Sequence, residues 1–236
     1  YFLGFFWGDG SCSAKGKLTT PKIIIVKEDA DILFPIFNKI FPINKRESLK
    51  EGRRPQTIAS FPKQKELRNF LIENDFIFKS KASHAKVLEK IDPCLHKYFW
   101  LGLSDADGCF YKKKKLGGGL FSITSRADQD WSAVLKWLKS IGVDNAIVRI
   151  DSHSTGKFSV LSVRYAPDIV RVGECFYGDG FEFGLERKYK KYLLIKDSVR
   201  NLSSTLKGIG FCKKRKKWRW FVAKTFKGYF ATEKEA

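Results

Sequence analysis

Methionine is absent from this 236-residue chain, histidine occurs three times, and none of the five cysteines falls in a Cys-x-x-Cys pair. His84, His96 and His153 complete no zinc-ligand spacing with the cysteines, so a structural zinc site is not expected. Cys12, Cys94, Cys109, Cys175 and Cys212 are scattered. They read as free thiols of a reducing compartment, not as a disulfide framework. No apolar run approaches the ~20 residues of a membrane span. No basic amphipathic helix stands apart from the core pattern, so a membrane partner is not expected. No signal-peptide pattern opens the chain. The expected location is therefore intracellular (an organelle, or a bacterial or phage-infected cytoplasm), without secretion. Tyr1 already adjoins an apolar motif, so further residues upstream are expected. The tract Gly117-Gly118-Gly119 lacks the Lys-Ser/Thr of a nucleotide-binding loop and reads as a hairpin turn.

Acidic residues are the other shortage. Lys and Arg number 45 against 25 Asp and Glu, a net charge of +20. Such an excess is an electrostatic footprint for a polyanion, and nucleic acid is the commonest one. Hydrophobic content of 43% and aromatic content of 15% argue against general disorder. The length allows one large or two small domains with cores of their own.

One nine-residue pattern occurs twice. The copies are Phe2-Leu3-Gly4-Phe5-Phe6-Trp7-Gly8-Asp9-Gly10 and Trp100-Leu101-Gly102-Leu103-Ser104-Asp105-Ala106-Asp107-Gly108. Each is an apolar helical stretch with small residues four apart, Gly4 and Gly8 in one, Gly102 and Ala106 in the other. Small residues at that spacing share a helix face and let two backbones approach closely. The closing glycine suits a left-handed cap. If the two helices pack through these faces, Asp9 and Asp107 arrive side by side at two negative dipole ends. Two such carboxylates repel, and a hard divalent cation relieves the repulsion. Asp105 has Trp7 as its counterpart, so it reads as a capping or solvating residue.

Asp9 and Asp107 lie 98 positions apart. At that offset and without a gap, residues 21–28 fall on 119–126, both rich in β-branched residues and strand-like. Residues 29–41 fall on 127–139, both with apolar residues at helical spacing. With shifted offsets, a strand at 53–60 pairs with one at 158–165, and a helix from Pro62 with one from Pro167. Basic segments end both halves, at 78–81 and 185–191. A linker is expected from Lys196 to Ser204.

The paired patterns resemble the signature helices of LAGLIDADG homing endonucleases, in the version with both copies in one chain. The second copy is close to the family pattern; the first is looser, with Trp7 in place of the family's first acidic residue. The resemblance implies an α+β fold of two pseudo-symmetric α-β-β-α-β-β-α halves, residues 1–97 and 98–196. Their antiparallel sheets would form a saddle over the major groove of double-stranded DNA. It implies a monomer with internal twofold symmetry that cuts both strands at a long pseudo-palindromic site, leaving short 3′ overhangs. Two or more Mg²⁺ ions are implied, with Mn²⁺ or Ca²⁺ able to substitute in binding. The implied metal positions are Asp9, Asp107, Gly8 and Ala106. Auxiliary catalytic groups fall at the end of the strand before the second helix of each half: Lys27, then Ser125 and Arg126. Ser125 is a weak substitute for a basic group, so unequal cutting of the two strands is expected. Candidate DNA contacts are Lys15, Lys17, Lys112, Lys114 and Arg164. A maturase acting on intron RNA, or a non-cleaving DNA-binding regulator, is the alternative on the same fold.

The segment 203–236 has its own pattern, in which Lys207-Gly208-Ile209, Lys217-Trp218 and Gly228-Tyr229-Phe230 resemble the Apetala/ethylene-response-factor DNA-binding domain. That resemblance implies a small β-rich module in which Lys213, Lys214, Arg215 and Arg219 reach DNA. The chain stops where the module's helix would start, with Thr232 as its expected N-cap.

Overall fold

A computed structural model of the chain describes residues 1–14, 17–49, 52, 54–62, 64–76, 84–113, 118–154, 156–178, 180–200, 209–212, 214–222, 225–232 and 234–235. In the first half, α1 (Phe2–Asp9) leads into β1 (Gly10–Ala14) and β2 (Lys17–Val26), then α2 (Lys27–Asn38), β3 (Asn44–Ser48), β4 (Gln56–Ser60), α3 (Lys65–Glu73) and α4 (His84–Leu88). The second half repeats the order with α5 (His96–Asp107), β5 (Gly108–Lys112), β6 (Gly119–Arg126), α6 (Ser132–Ser140), β7 (Ile147–His153), β8 (Gly156–Val163), α7 (Ala166–Tyr177) and α8 (Glu186–Arg200). Each half forms a four-stranded antiparallel sheet, ordered β1-β2-β4-β3 and β5-β6-β8-β7. The expected α+β class and its two matched halves are the observed ones.

Alternation along the strands divides each sheet into two faces. In β2, Ile23 and Ile25 are buried while Lys22, Ile24 and Val26 are half-buried. In β6, Phe121 and Ile123 are buried and Thr124 and Arg126 exposed. Helices therefore cover one face of each sheet and leave the other open, as antiparallel sheets permit. The covered faces meet a core rich in phenylalanine. Phe2 packs edge-on against Phe37 and Phe61, with ring centroids 5.1 and 5.6 Å away. Such pairs contribute about 0.5–1.5 kcal/mol each beyond their burial.

Several local expectations change. β3 and β7 were not legible from the residues: both are edge strands with almost every side chain exposed, so neither carries an alternating signal. The ungapped match fails at the second helix, because α2 begins at Lys27 but α6 begins only at Ser132. A turn fills the difference, with the Asp130 carboxylate accepting the Ser132 amide at 2.9 Å. Helix α8 runs on to Arg200, through the expected start of the linker. Gly10 and Gly108 are extended (φ −78° and −93°), not left-handed. Their amides still bond back to the Phe6 and Ser104 carbonyls. A Cβ would strike those same carbonyls, so glycine is required here for close approach and not for its φ.

In the C-terminal segment β9 (Ile209–Cys212), β10 (Lys217–Val222) and β11 (Thr225–Phe230) form a three-stranded antiparallel sheet with β10 in the middle. Lys217 and Arg219 are exposed and the intervening Trp218 is half-buried. The Arg215 guanidinium lies 4.7 Å from the centre of the Tyr229 ring. The Glu235 carboxylate accepts the Thr232 amide at 3.3 Å, half of the reciprocal bonding in a helix N-terminal capping box.

Candidate active site

Helices α1 and α5 pack through the faces that carry the small residues. A Cβ on Gly4 would collide with the Phe99 carbonyl, and one on Gly102 with the Tyr1 carbonyl and, at 2.7 Å, the Phe5 amide. A Cβ on Gly8 would strike the Ala106 methyl and stand 3.1 Å from Asp107 Oδ2. The last turns of the two helices, carrying Asp9 and Asp107, therefore abut.

The surroundings of the two aspartates differ sharply. Asp9 opens on a cleft of about 620 Å³ lined by Ile24, Val26, Glu28, Gln56, Arg54, Asp105, Arg187 and Lys191, among others. Asp107 faces a pocket of about 30 Å³, closed by Trp7, His84 and Trp131 and lined by Ser125, Arg126 and Gln129. The Ser125 hydroxyl donates to Gln129 Oε1 at 3.0 Å. The Trp131 indole donates to Ser159 at 3.0 Å, which holds the wall of this pocket in place.

The asymmetry follows from one substitution in the repeat, Trp7 against Asp105. Trp7 packs on Phe76, His84 and Phe99. Asp105 is only 2% exposed and instead anchors a polar network. Its Oδ2 accepts the Tyr1 hydroxyl at 2.7 Å and the Leu185 amide at 3.0 Å. Burial raises its carboxyl to about 6, against the pull of Lys188. Asp105 is thus neither solvated nor a cap of its own helix; it receives the amide just before α8.

Lys188, on the first turn of α8, is buried and donates to the carbonyls of Ser104, Asp105 and Gly108 at 2.7, 2.5 and 2.9 Å. A cation at the C-terminal end of α5 interacts favourably with the helix dipole and donates to carbonyls of its last turn and of the residue just past it. Burial lowers its ammonium to about 8, while Asp105 opposes that shift. Arg187 grips Asp29 of α2 with two bonds, Nε to Oδ1 at 2.8 Å and Nη2 to Oδ2 at 2.5 Å. The cleft around Asp9 therefore takes its basic groups Arg187 and Lys191 from the other half of the chain.

Of the residues singled out in the sequence, Asp9, Asp107, Gly8 and Ala106 converge on the helix ends, and Ser125 and Arg126 line the Asp107 pocket. Lys27 does not line the Asp9 cleft; its ammonium lies 3.0 Å from Glu47 and 3.4 Å from Asp31. Lys112 is exposed but shares the strand parity of buried Phe110, at the end of the helix-covered face. Arg164, exposed, directly follows β8. Lys214, Arg215 and Arg219 are exposed. Lys17 begins β2, and Lys15, Lys114 and Lys213 lie outside the described residues, as do 77–83. Sequence reasoning missed Gln129, Arg54, Arg187 and Lys188. The basic run at 185–191 was the only signal for the last two, and nothing in it said which lysine turns inward.

Among the described residues no cluster of three or more His, Cys, Asp or Glu is arranged to hold a metal ion. Two carboxylates on abutting helix ends are nonetheless oxygen donors suited to Mg²⁺, which takes few protein ligands and keeps waters or phosphate oxygens.

No family model and no curated protein sequence matches the chain. Solved structures do. The meganuclease I-SmaMI, solved bound to uncleavable DNA, is 14% identical with a TM-score of 0.50, over 85% of this chain and 90% of its own. A point mutant of I-SmaMI gives 0.52 at 14% identity over the same shares. I-DmoI, in complex with DNA and calcium, gives 0.50 at 16% identity over 80% of this chain and 94% of its own. The fold is the two-domain fold of the LAGLIDADG endonucleases.

Proposed function

We propose that this protein is a site-specific double-stranded DNA endonuclease that uses divalent metal, Mg²⁺ foremost, at a long pseudo-palindromic site. The observation that carries the reading is the junction of Asp9 and Asp107 on two close-packed helix ends, each of which leads straight into the first strand of a four-stranded sheet. A protein that only binds DNA has no need of two carboxylates on abutting helix ends. The DNA named for I-SmaMI and I-DmoI, and the +20 charge, support the same partner.

Asp9 and Asp107, with the backbone at Gly8 and Ala106, would hold the metal. Bound there, it supplies charge neutralisation and a water of lowered pKa for phosphodiester hydrolysis. Arg54, Arg187 and Lys191 line the cleft and offset the phosphate charge that enters it. Lys188 holds the end of α5, and with it Asp107, by its three carbonyl bonds. Ser125 and Gln129 present a hydrogen-bonded pair to anything entering on the Asp107 side. With an open cleft on one side and a closed pocket on the other, the two strands are cut at unequal rates. The sheet β9–β11, with Lys214, Arg215 and Arg219 exposed, serves as an extra DNA-binding module on one flank.

The test is cleavage of a randomised duplex library with Mg²⁺ by the wild type and by Asp9→Asn and Asp107→Asn. Loss of double-strand cleavage in both variants, with DNA binding kept, is expected. Wild-type rates in both would remove the assignment. Binding without any Mg²⁺-dependent nicking by the wild type would favour a maturase or regulator instead.

A further inference from the structure

The two open sheet faces carry different chemistry at matching positions. In the first half, Ile24 of β2 pairs with Ile58 of β4, and Ile58 with Arg46 of β3. One step closer to α2, Val26 pairs with Gln56, and Gln56 with Ser48. In the second half the corresponding pairs are Ser122 with Ser162 and Ile147, then Thr124 with Val160 and Arg149. An apolar patch of Ile24, Val26 and Ile58, edged by Gln56, thus corresponds to the hydroxyls of Ser122 and Thr124 on β6, with Val160 and the exposed Ile147 set further out on β8 and β7 and Ser162 buried. Ile24, Val26 and Gln56 also line the open cleft with Asp9, and Gly10 pairs with Ile23. Ile24, Val26 and Gln56 therefore lie next to the candidate cutting site. The Ser162 hydroxyl is committed inward, to the Ile147 carbonyl at 3.4 Å.

In the major groove an apolar side chain is matched to the thymine C5-methyl, and a glutamine amide to adenine N6 and N7. A patch holding both is matched to A·T pairs. Serine and threonine hydroxyls accept any base, and arginine favours guanine. Resting on the endonuclease reading above, we infer that Ile24, Val26 and Ile58 read thymine methyl groups, with Gln56 on adenine, at the inner base pairs of one half-site only. Ser122, Thr124 and Arg149 read the matching positions of the other half-site through polar contacts. The inner A·T preference is then one-sided.

The experiment uses the full chain. Cleaved sites are first selected from the randomised library with Mg²⁺. Duplexes of the selected site are then made with deoxyuridine in place of thymidine, which removes the methyl and leaves the base pairing unchanged. Binding is measured by anisotropy without Mg²⁺. Each substitution at the inner pairs of one half-site should weaken binding about fourfold, the burial of one methyl at about 0.8 kcal/mol. Deoxyuridine at the matching pairs of the other half-site should change nothing. The variant Ile24→Ser with Ile58→Ser should lose the deoxyuridine effect. The wild-type comparison alone decides the matter if that variant folds poorly. Inner G·C pairs in both half-sites, or an equal deoxyuridine effect on both sides or none on either, would overturn the inference and leave the endonuclease standing. If the library yields no site at all, the endonuclease reading falls and this inference with it.

Discussion

Gly8→Ala puts one methyl into the tightest point of the α1–α5 seam. The new Cβ would meet the Ala106 methyl and stand 3.1 Å from Asp107 Oδ2. Neither obstacle is the far end of a long, yielding side chain, so the helix ends must part. Overpacking of this kind costs about 1–3 kcal/mol, and the better helix propensity of alanine returns about 1 of it. A net loss of up to about 2 kcal/mol lowers the melting temperature by up to about 8 °C in a chain of this size. Cleavage should fall by more than the stability loss explains, because the displaced neighbour is the Asp107 carboxylate itself. Ala106→Gly removes the methyl that the new one strikes, so the double variant should recover both melting temperature and cleavage. Gly102→Ala is the control: its Cβ meets the Tyr1 carbonyl and the Phe5 amide, away from the aspartates. It should cost stability while sparing the single-turnover rate at temperatures where it remains folded. Thermal unfolding and single-turnover cleavage at saturating enzyme read the two effects apart. A Gly8→Ala protein with wild-type melting and wild-type cleavage, or a double variant no better than the single, would refute the seam geometry.

Binding should depend steeply on salt, since six or more phosphate contacts give a slope of log K against log[salt] of about −5 or steeper. A slope near zero in a fluorescence titration would rule out the electrostatic footprint. Burial holds His84 at about 4, below the ordinary 6.5. The unfolded chain then binds more protons between these values, so this contribution is complete above pH 6.5 and is lost as pH falls to 4, by about 3 kcal/mol. Asp105, raised to about 6, acts with the opposite sign over much of that range. Urea midpoints of wild type and His84→Phe at pH 4.5 and 7 therefore isolate the histidine: the variant should lose less stability on acidification, and equal losses would sink the claim. Deleting the chain after Arg200 should weaken DNA binding and shorten the footprint on one flank while leaving single-turnover cleavage intact. An unchanged footprint with lost cleavage would mean that β9–β11 belong to the catalytic body.

The duplication at a spacing of 98 residues, the Gly/Ala faces of two helices and the paired Asp-Gly are all local patterns. They were enough to determine the two matched halves, the α1–α5 seam and the pair of candidate carboxylates. Strands β3 and β7 escaped because both their faces meet solvent, and alternation records burial, not hydrogen bonding. The tertiary structure alone decided what surrounds each aspartate. Asp105 reaches Leu185 and Lys188 reaches Gly108 across 80 residues, and Arg187 reaches Asp29 across 158. No window of sequence contains such pairs. The same run of basic residues therefore supplies a buried helix cap in Lys188, an inter-half clamp in Arg187 and a cleft-lining charge in Lys191. Likewise the change from Asp105 to Trp7 read as a loose motif in the sequence. Only packing turned it into a closed pocket beside Asp107 and an open cleft beside Asp9, because an indole fills the space that a carboxylate leaves to hydrogen-bonding partners.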